Sequence, residues 1–290
     1  MEIHQLRYVL AVAETGSFTR ASEKCFVAQP SLSAQIAKLE DELGGALFNR
    51  GRQGARLTAW GEVFLPRARE ILLQLERIKG DFEDLAGLHR GSVSLGCLPT
   101  TGTYLLPPLL SAFQKLHPGV QVQLTEESSP NLGKALREGR LDLALLDEAG
   151  LVEGLEYNLL FTEPLMVACP RSHRFALRKS LNLVELKGEP LILMKSGHGF
   201  RRIMLNSLED AGVLPQVVYE SGGIETVQAL VQGGLGLTLV PRMVCHPNGP
   251  AYLEIEPPTP SRSLFVAWRG DLDSATLALR DLTLEVLRSI

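Results

Sequence analysis

Between Phe18 and Gly44 the stretch FTRASEKCFVAQPSLSAQIAKLEDELG repeats its apolar residues at helical spacing, and among them stand Gln29, Ser31, Ser33, Gln35 and Lys38. Amides and hydroxyls both donate and accept hydrogen bonds, and an ammonium adds a charge that meets anions. Directly after it, LGGALFNRGRQGARLT holds Arg50, Arg52 and Arg56 with no acidic residue. Such groups presented together suit the edges of nucleobases and the phosphates beside them. Further candidates lie later in the chain. The turns Pro99-Thr100-Thr101-Gly102 and Ser196-Gly197-His198-Gly199-Phe200, with Ser128, Ser129 and Thr226, offer hydroxyls and backbone N–H groups that can hold a small ligand. Each hydroxyl is equally suited to capping a helix.

These side chains need a scaffold. In HQLRYVLAVAETGS, Leu6, Val9, Leu10 and Ala13 form one apolar helical face, and Gly16 can end the helix. A second short helix runs from Phe18 through Lys24 behind a Ser17 or Thr19 cap, with Ala21 small enough to let a neighbouring helix approach. A third begins near Gln29, takes Pro30 in its first turn, and buries Leu32, Ile36, Leu39 and Leu43. Three short helices followed by an arginine-bearing hairpin predict a winged helix-turn-helix. Its last helix would enter the major groove of double-stranded DNA while the wing holds the phosphate backbone. Gln29, Pro30, Ser31, Ser33, Gln35, Lys38, Arg50 and Arg52 are then the expected DNA contacts. A three-helix protein-interaction module remains the alternative.

From Ala59 to about Leu88 the residues Phe64, Ala68, Ile71, Leu75, Ile78, Phe82 and Leu85 form a heptad seam, which predicts a long helix that pairs with another helix or packs on its own chain. Pro66 falls early enough in it for a mild kink to be tolerated. From Gly91 the pattern changes to short strands, SVSLGC, VQVQLTE, LDLALL, PLMVAC, LILM, VVYE and LTLV, separated by amphipathic segments such as LLPPLLSAFQKLH and ETVQALVQGG. This predicts an α/β fold with mostly parallel sheets, in two lobes joined by crossovers near Pro164 to Pro170 and Ser263 to Trp268. Ligands of such sheets sit beyond strand C-termini, where helix N-termini attract anions. The turns at Thr100 and Gly199 fit that position and are expected to face each other around a small anionic ligand.

Composition bounds these readings. A chain of 290 residues with 45% apolar content can build two or three domains with cores. No apolar run approaches the ~18 residues of a membrane helix, and MEIHQLRYVL lacks the basic start and cleavage site of a signal peptide, so a cytoplasmic protein without membrane contact is expected. Cys25, Cys97, Cys169 and Cys245 are far apart and lack ligand spacing, so neither a metal site, a cofactor nor a disulfide framework is expected. The formal charge of −4 falls wholly beyond residue 90. GxSxG, HExxH and GxxxxGKS are all missing, and GGLGL precedes a strand instead of opening a helix, which argues against an enzyme.

The segment FTRASEKCFVAQPSLSAQIAKLEDELGGALFNRGRQGARLTAWG resembles the winged helix-turn-helix of LysR-type transcriptional regulators in the ordered elements ASEKCFVAQPSLS, IAKLEDELG, LF.R and LT..G, and the similarity runs through essentially the whole chain. Within that family it is most similar to the peroxide-sensing, OxyR-like branch, in LSAQIAKLEDELG, LPTTGTYLLPPLL and GGLGLTLVP. The resemblance implies a DNA-binding domain over 1–58, a dimerising linker helix over 59–89, and an effector domain over 90–290 with the fold of periplasmic binding proteins. In that layout lobe one is 90–162 with 268–290, lobe two is 163–267, and a small-molecule effector lies in the cleft between them. It also implies a homodimer or homotetramer and leaves RNA polymerase open as a partner. Two departures stand out. Ala34 stands where many members have Arg, and Gly199 and Leu208 stand where the branch has its peroxide-reactive and resolving cysteines. A solute-binding protein would account for residues 91–290 but not the first 58; a regulator without ligand, or one answering through a remaining thiol, also stays open.

Overall fold

The structure, a computed structural model, describes residues 1–51, 54–85, 91–195 and 199–287, without the side chains at positions 50, 73, 76, 77 and 79–85. Arg52, Ser196, Gly197 and His198, together with the seam side chains of Phe82 and Leu85, therefore lie outside the described residues. The chain divides into two compact units, Met1–Leu88 and His89–Ile290.

In the first unit, α1 (Ile3–Thr15) ends at Gly16, whose φ of 63° is the left-handed turn that glycine adopts without strain. Helix α2 (Phe18–Lys24) starts behind Ser17, whose side chain accepts from the Arg20 N–H. Helix α3 (Gln29–Leu43) carries Pro30 in its first turn and ends at Gly44. Val9, Val12, Ala21, Leu32, Ile36, Leu39, Leu47 and Phe48 close the core between them. Strands β1 (Phe48–Gly51) and β2 (Gly54–Leu57) form an antiparallel hairpin that pairs Asn49 with Arg56 and Arg50 with Ala55. Its base is tied to the end of α1, because the Ala55 N–H donates to the Gly16 carbonyl at 2.9 Å.

Helix α4 (Ala59–Leu85) contains Pro66 and packs against α1. The start of the expected seam is used inside its own unit: Ala68 is fully buried and Phe64 packs against the core of α1 to α3. A helix leaving a domain buries its first turns there, which leaves the later part of the seam to meet another helix. Ile71 and Ile78 are exposed and Leu75 is half-buried.

The second unit holds two lobes. Lobe one is a sheet of order β4 (Val120–Glu126), β3 (Gly91–Cys97), β5 (Leu143–Asp147), β12 (Ser261–Trp268) and the first half of β6 (Glu156–Cys169). It is covered by α5 (Pro99–Tyr104), α6 (Leu106–Leu116), α7 (Ser129–Arg137) and α10 (Ser274–Leu287). In lobe two the second half of β6 pairs with β10 (Thr238–Pro241) and β11 (Ala251–Ile255), and β11 with β7 (Ser180–Leu181). A separate pair, β8 (Pro190–Met194) and β9 (Gln216–Ser221), packs with α8 (Gly199–Asp210) and α9 (Ile224–Gln232) on the same core.

The sheets are mixed, not mostly parallel. Strand β3 is parallel to β4 and β5, and β8 to β9, while every pairing of β6 with β10, β11 or β12 is antiparallel. The reason is connectivity: β6 carries the chain out of lobe one and β12 carries it back, so neighbours running together must run in opposite directions. The crossings also sit earlier than expected. Leu160 lies in the core of lobe one and Leu165 in that of lobe two, which puts the outward crossing between them. Leu264, Val266 and Ala267 already belong to the core of lobe one, so the return falls near Pro260 to Arg262 and residues 263–267 are not part of lobe two.

Helix α7 lies close against the turn that follows β5, and a Cβ on Gly133 would fall inside the van der Waals shell of the Gly150 carbonyl oxygen. Both atoms are held by backbone, so Gly133→Ala is expected to lower stability by about 1–3 kcal/mol. Gly222→Ala, with nothing within 4 Å, should stay within about 0.5 kcal/mol of the parent. Urea unfolding of the two variants measures the difference.

Candidate functional site

At the start of α3 the side chains of Gln29, Pro30 and Ser31 are exposed, and Ala28 at the cap position supplies no side-chain bond. Pro30 has no N–H and the Leu32 N–H is donated to the Ala28 carbonyl, so it is the N–H groups of Gln29 and Ser31 that lack a side-chain cap. Ser33 is half-buried on one flank. Gln35 does not share that surface. Its side-chain oxygen accepts from Gln5 Nε2 at 3.2 Å and its carbonyl from the same group at 3.3 Å, which joins α3 to α1. The signal in the sequence was Gln5 itself, a polar residue next to the apolar face of α1 and fully buried. Lys38 is exposed, with Nζ 3.2 Å from the Glu2 carboxylate. Ala34 is exposed one turn after Pro30 and one turn before Lys38, so a small residue stands in the middle of the exposed strip of α3. In the hairpin the Arg50 backbone is paired and its side chain lies outside the description, while Arg56 is exposed.

In the second unit a cavity of about 240 Å³ opens between the lobes. Lobe one contributes Leu98, Pro99, Thr100, Glu126, Glu127, Ser128 and Asp147, lobe two contributes Gly199, Phe200 and Gly222, and Arg262 reaches in from the return crossing. The turns at Thr100 and at Gly199 and Phe200 are thus brought together. Thr101 is not among the lining residues: it is fully buried, and its hydroxyl donates to the Leu98 carbonyl at 2.8 Å. Ser129 is likewise buried, its Oγ accepting from the Asp147 N–H at 3.0 Å, so it braces α7 against β5. Thr226 is exposed in the first turn of α9 and is absent from the lining; Gly222, just before that helix, takes its place. Sequence position put these hydroxyls near strand ends, but one residue of helix rotation turns a side chain from cleft to core.

Arg262 is a site residue that sequence position does not reveal. It is 4% exposed, and its Nε donates to Glu163 Oε1 at 2.7 Å. Nη1 donates to Thr100 Oγ1 at 3.2 Å, Nη2 to the Met243 sulfur at 3.0 Å, and the guanidinium carbon stands 5.9 Å from the centre of the Phe200 ring. The other oxygen of Glu163 accepts from the Met243 N–H at 2.7 Å. Glu163 lies on the outward crossing and Arg262 on the return, so one ion pair ties both crossing strands to Thr100 of lobe one and Met243 of lobe two. An arginine within a strand of alternating character, SRSLFVAW, was the available signal.

The charge of the cavity runs against the anionic ligand that helix N-termini suggest. Glu126, Glu127 and Asp147 line it, and the one guanidinium among the described lining residues is already matched by Glu163. The start of α8 already has a carboxylate beside it: a Cβ on Gly199 would stand 3.0 Å from Asp147 Oδ2, which makes no hydrogen bond to that helix among the described residues. Leu208, at the position corresponding to the resolving cysteine, is fully buried in the core of lobe two. Burial pushes the thiols of Cys97 and Cys169 up to about 11 and that of Cys245 up to about 12, and it also raises Cys25, so none favours the reactive thiolate.

Residues 3–62 match the bacterial regulatory helix-turn-helix proteins of the lysR family, and residues 86–288 match the LysR substrate binding domain. The chain is similar to the HTH-type transcriptional regulator YcgK of Bacillus subtilis (strain 168), at 34% identity with 99% of this chain and 95% of that protein covered. It is similar to the DNA-binding transcriptional dual regulator OxyR of Escherichia coli (strain K12), at 31% identity over 93% of this chain and 90% of that one. Among solved structures, a full-length OxyR point variant from Pseudomonas aeruginosa superposes with a TM-score of 0.79 at 29% identity, covering 99% of this chain and 98% of that one.

Breaking a buried ion pair on one side leaves an uncompensated charge, whereas replacing both partners with apolar groups does not. Glu163→Leu alone is therefore expected to cost about 3–5 kcal/mol, and adding Arg262→Met should recover most of the loss. Thermal and urea unfolding of the single and double variants give the comparison.

Proposed function

The chain belongs to the LysR family of DNA-binding transcriptional regulators with an effector-binding domain, and on that premise we propose that α3 and the β1–β2 hairpin read operator DNA while a small molecule between the lobes sets the response. The observation that carries the first half is the exposed, uncapped start of α3 beside an arginine-bearing hairpin. Gln29, Pro30, Ser31 and Ser33 meet base edges and nearby phosphates. Lys38, Arg50 and Arg52 neutralise backbone charge. Two copies pair through α4 from Ile71 onward, and their reading heads address half-sites about 34 Å or a multiple apart. Pairing of two such dimers through their effector domains gives a homotetramer. The protein acts in the cytoplasm, where its DNA is, with RNA polymerase as a further partner.

The cavity supports the second half. Its use is binding without catalysis. A ligand touching Thr100 and Phe200 bears on the same groups that Arg262 holds, and it shifts the lobes only by binding one arrangement more tightly. A tenfold preference supplies about 1.4 kcal/mol. Thiol oxidation is no part of this switch, in keeping with Gly199 and Leu208 at the positions of the peroxide-sensing cysteines and with the buried character of Cys97 and Cys169.

Gel shifts at two salt concentrations test the reading of DNA. Arg50→Ala should weaken binding to all sequences and flatten the salt dependence, and Gln29→Ala should relax specificity by about 1–3 kcal/mol if it makes a paired base contact. Equal affinity for operator and random DNA would sink the proposal. Charges introduced at Ile71 and Ile78 should lower the sedimentation coefficient. Peroxide should leave DNA binding unchanged in the parent and in a variant without its four cysteines.

A further inference from the structure

Asp147 lies on the lobe-one side of the cavity at the end of β5 and is more than nine-tenths buried. Its Oδ1 accepts from the Ala149 N–H at 3.0 Å, and its Oδ2 accepts no hydrogen bond among the described residues. Thr100, also more than nine-tenths buried, spends its oxygen as an acceptor for Arg262, which leaves its hydroxyl hydrogen to donate. A buried acceptor and a buried donor with unspent capacity therefore line the same space. Neither is an orphaned buried atom; both open on the cavity, where a ligand can replace water as the partner of Asp147 Oδ2 and of the Thr100 hydroxyl hydrogen.

The electrostatics select that partner. Glu126 at the rim and Glu127 at the start of α7 add negative charge, and the Arg262 guanidinium adds none in balance because Glu163 already matches it. An anion entering here would face three carboxylates with no free cation among the described lining residues. Among the described residues no group of His, Cys, Asp and Glu converges closely enough to hold a metal ion. We propose that the effector is an organic cation, a small molecule whose protonated amine or guanidine group bonds Asp147 Oδ2 and whose hydrogen-bond acceptor meets the Thr100 hydroxyl. This rests on the reading of the cavity as the effector site and names the chemistry it takes. Phe200 lines the same space, with the Arg262 guanidinium already standing over its ring.

The test uses the full-length protein and its thermal unfolding with 1,4-diaminobutane, agmatine and ethanolamine, set against succinate, glutarate and inorganic phosphate at matched ionic strength. At least one amine should raise the midpoint in a saturable way, with no shift from the anions. Asp147→Asn keeps an oxygen for the Ala149 N–H but removes the charge, and it should weaken the amine by about tenfold or more. Ser128→Phe fills the cavity without removing a cap, because the Ser128 side chain makes no cap bond, and it should abolish the shift. Stabilisation by the dicarboxylates but not the amines, lost in Ser128→Phe, would overturn the cationic class and leave the effector site standing. Amine stabilisation that persists in both variants would overturn both. No shift with any amine would overturn the proposal.

Discussion

An arginine held at 4% exposure is tolerable only if its charge is met where it lies, and Arg262 is met on every side that the fold offers. Glu163 takes Nε, Thr100 takes one terminal nitrogen and the sulfur of Met243 the other. Those partners come from the outward crossing strand, from lobe one and from lobe two. The pair fixes where β6 and β12 run beside each other, and with it the antiparallel centre on which both lobes are built. It also decides which way the Thr100 hydroxyl faces, since its oxygen is spent on the guanidinium. The cavity begins where that network ends.

The same constraint reverses a simple rule about helix N-termini. Such ends attract anions because their N–H groups lack partners. Here the start of α8 meets a carboxylate from the opposite lobe, and glycine at 199 lets Asp147 come that close. The site's polarity is thus set by a residue of the chain itself.

In the DNA-binding unit a parallel logic operates with neutral groups. Gln5 and Gln35 satisfy one another between α1 and α3, and the Gly16 carbonyl holds the hairpin through Ala55. These bonds fix the helix and the wing against one frame, so the exposed residues of α3 are presented by backbone geometry and not by their own contacts. Gln35 is the cost of that frame, a polar side chain withdrawn from the surface.

Local chemistry made much of this legible. Gly16, Ser17, Pro30 and Gly44 punctuate the first unit because left-handed turns, caps and first-turn prolines are properties of single residues. The α/β alternation, the long helix and the family resemblance likewise follow from period and order along the chain. What the sequence left open was every choice made by a distant neighbour. Thr100 and Thr101 are adjacent and chemically identical, yet one meets Arg262 across 162 positions and the other turns back to its own helix. Ser128 and Ser129 divide in the same way. The return crossing, the pairing of Arg262 with Glu163, and the carboxylates that give the cavity its sign depend on which strands lie side by side. That is a property of tertiary packing: a strand's alternation tells which residues share a face, but only its partners decide whether that face is cleft, core or crossing.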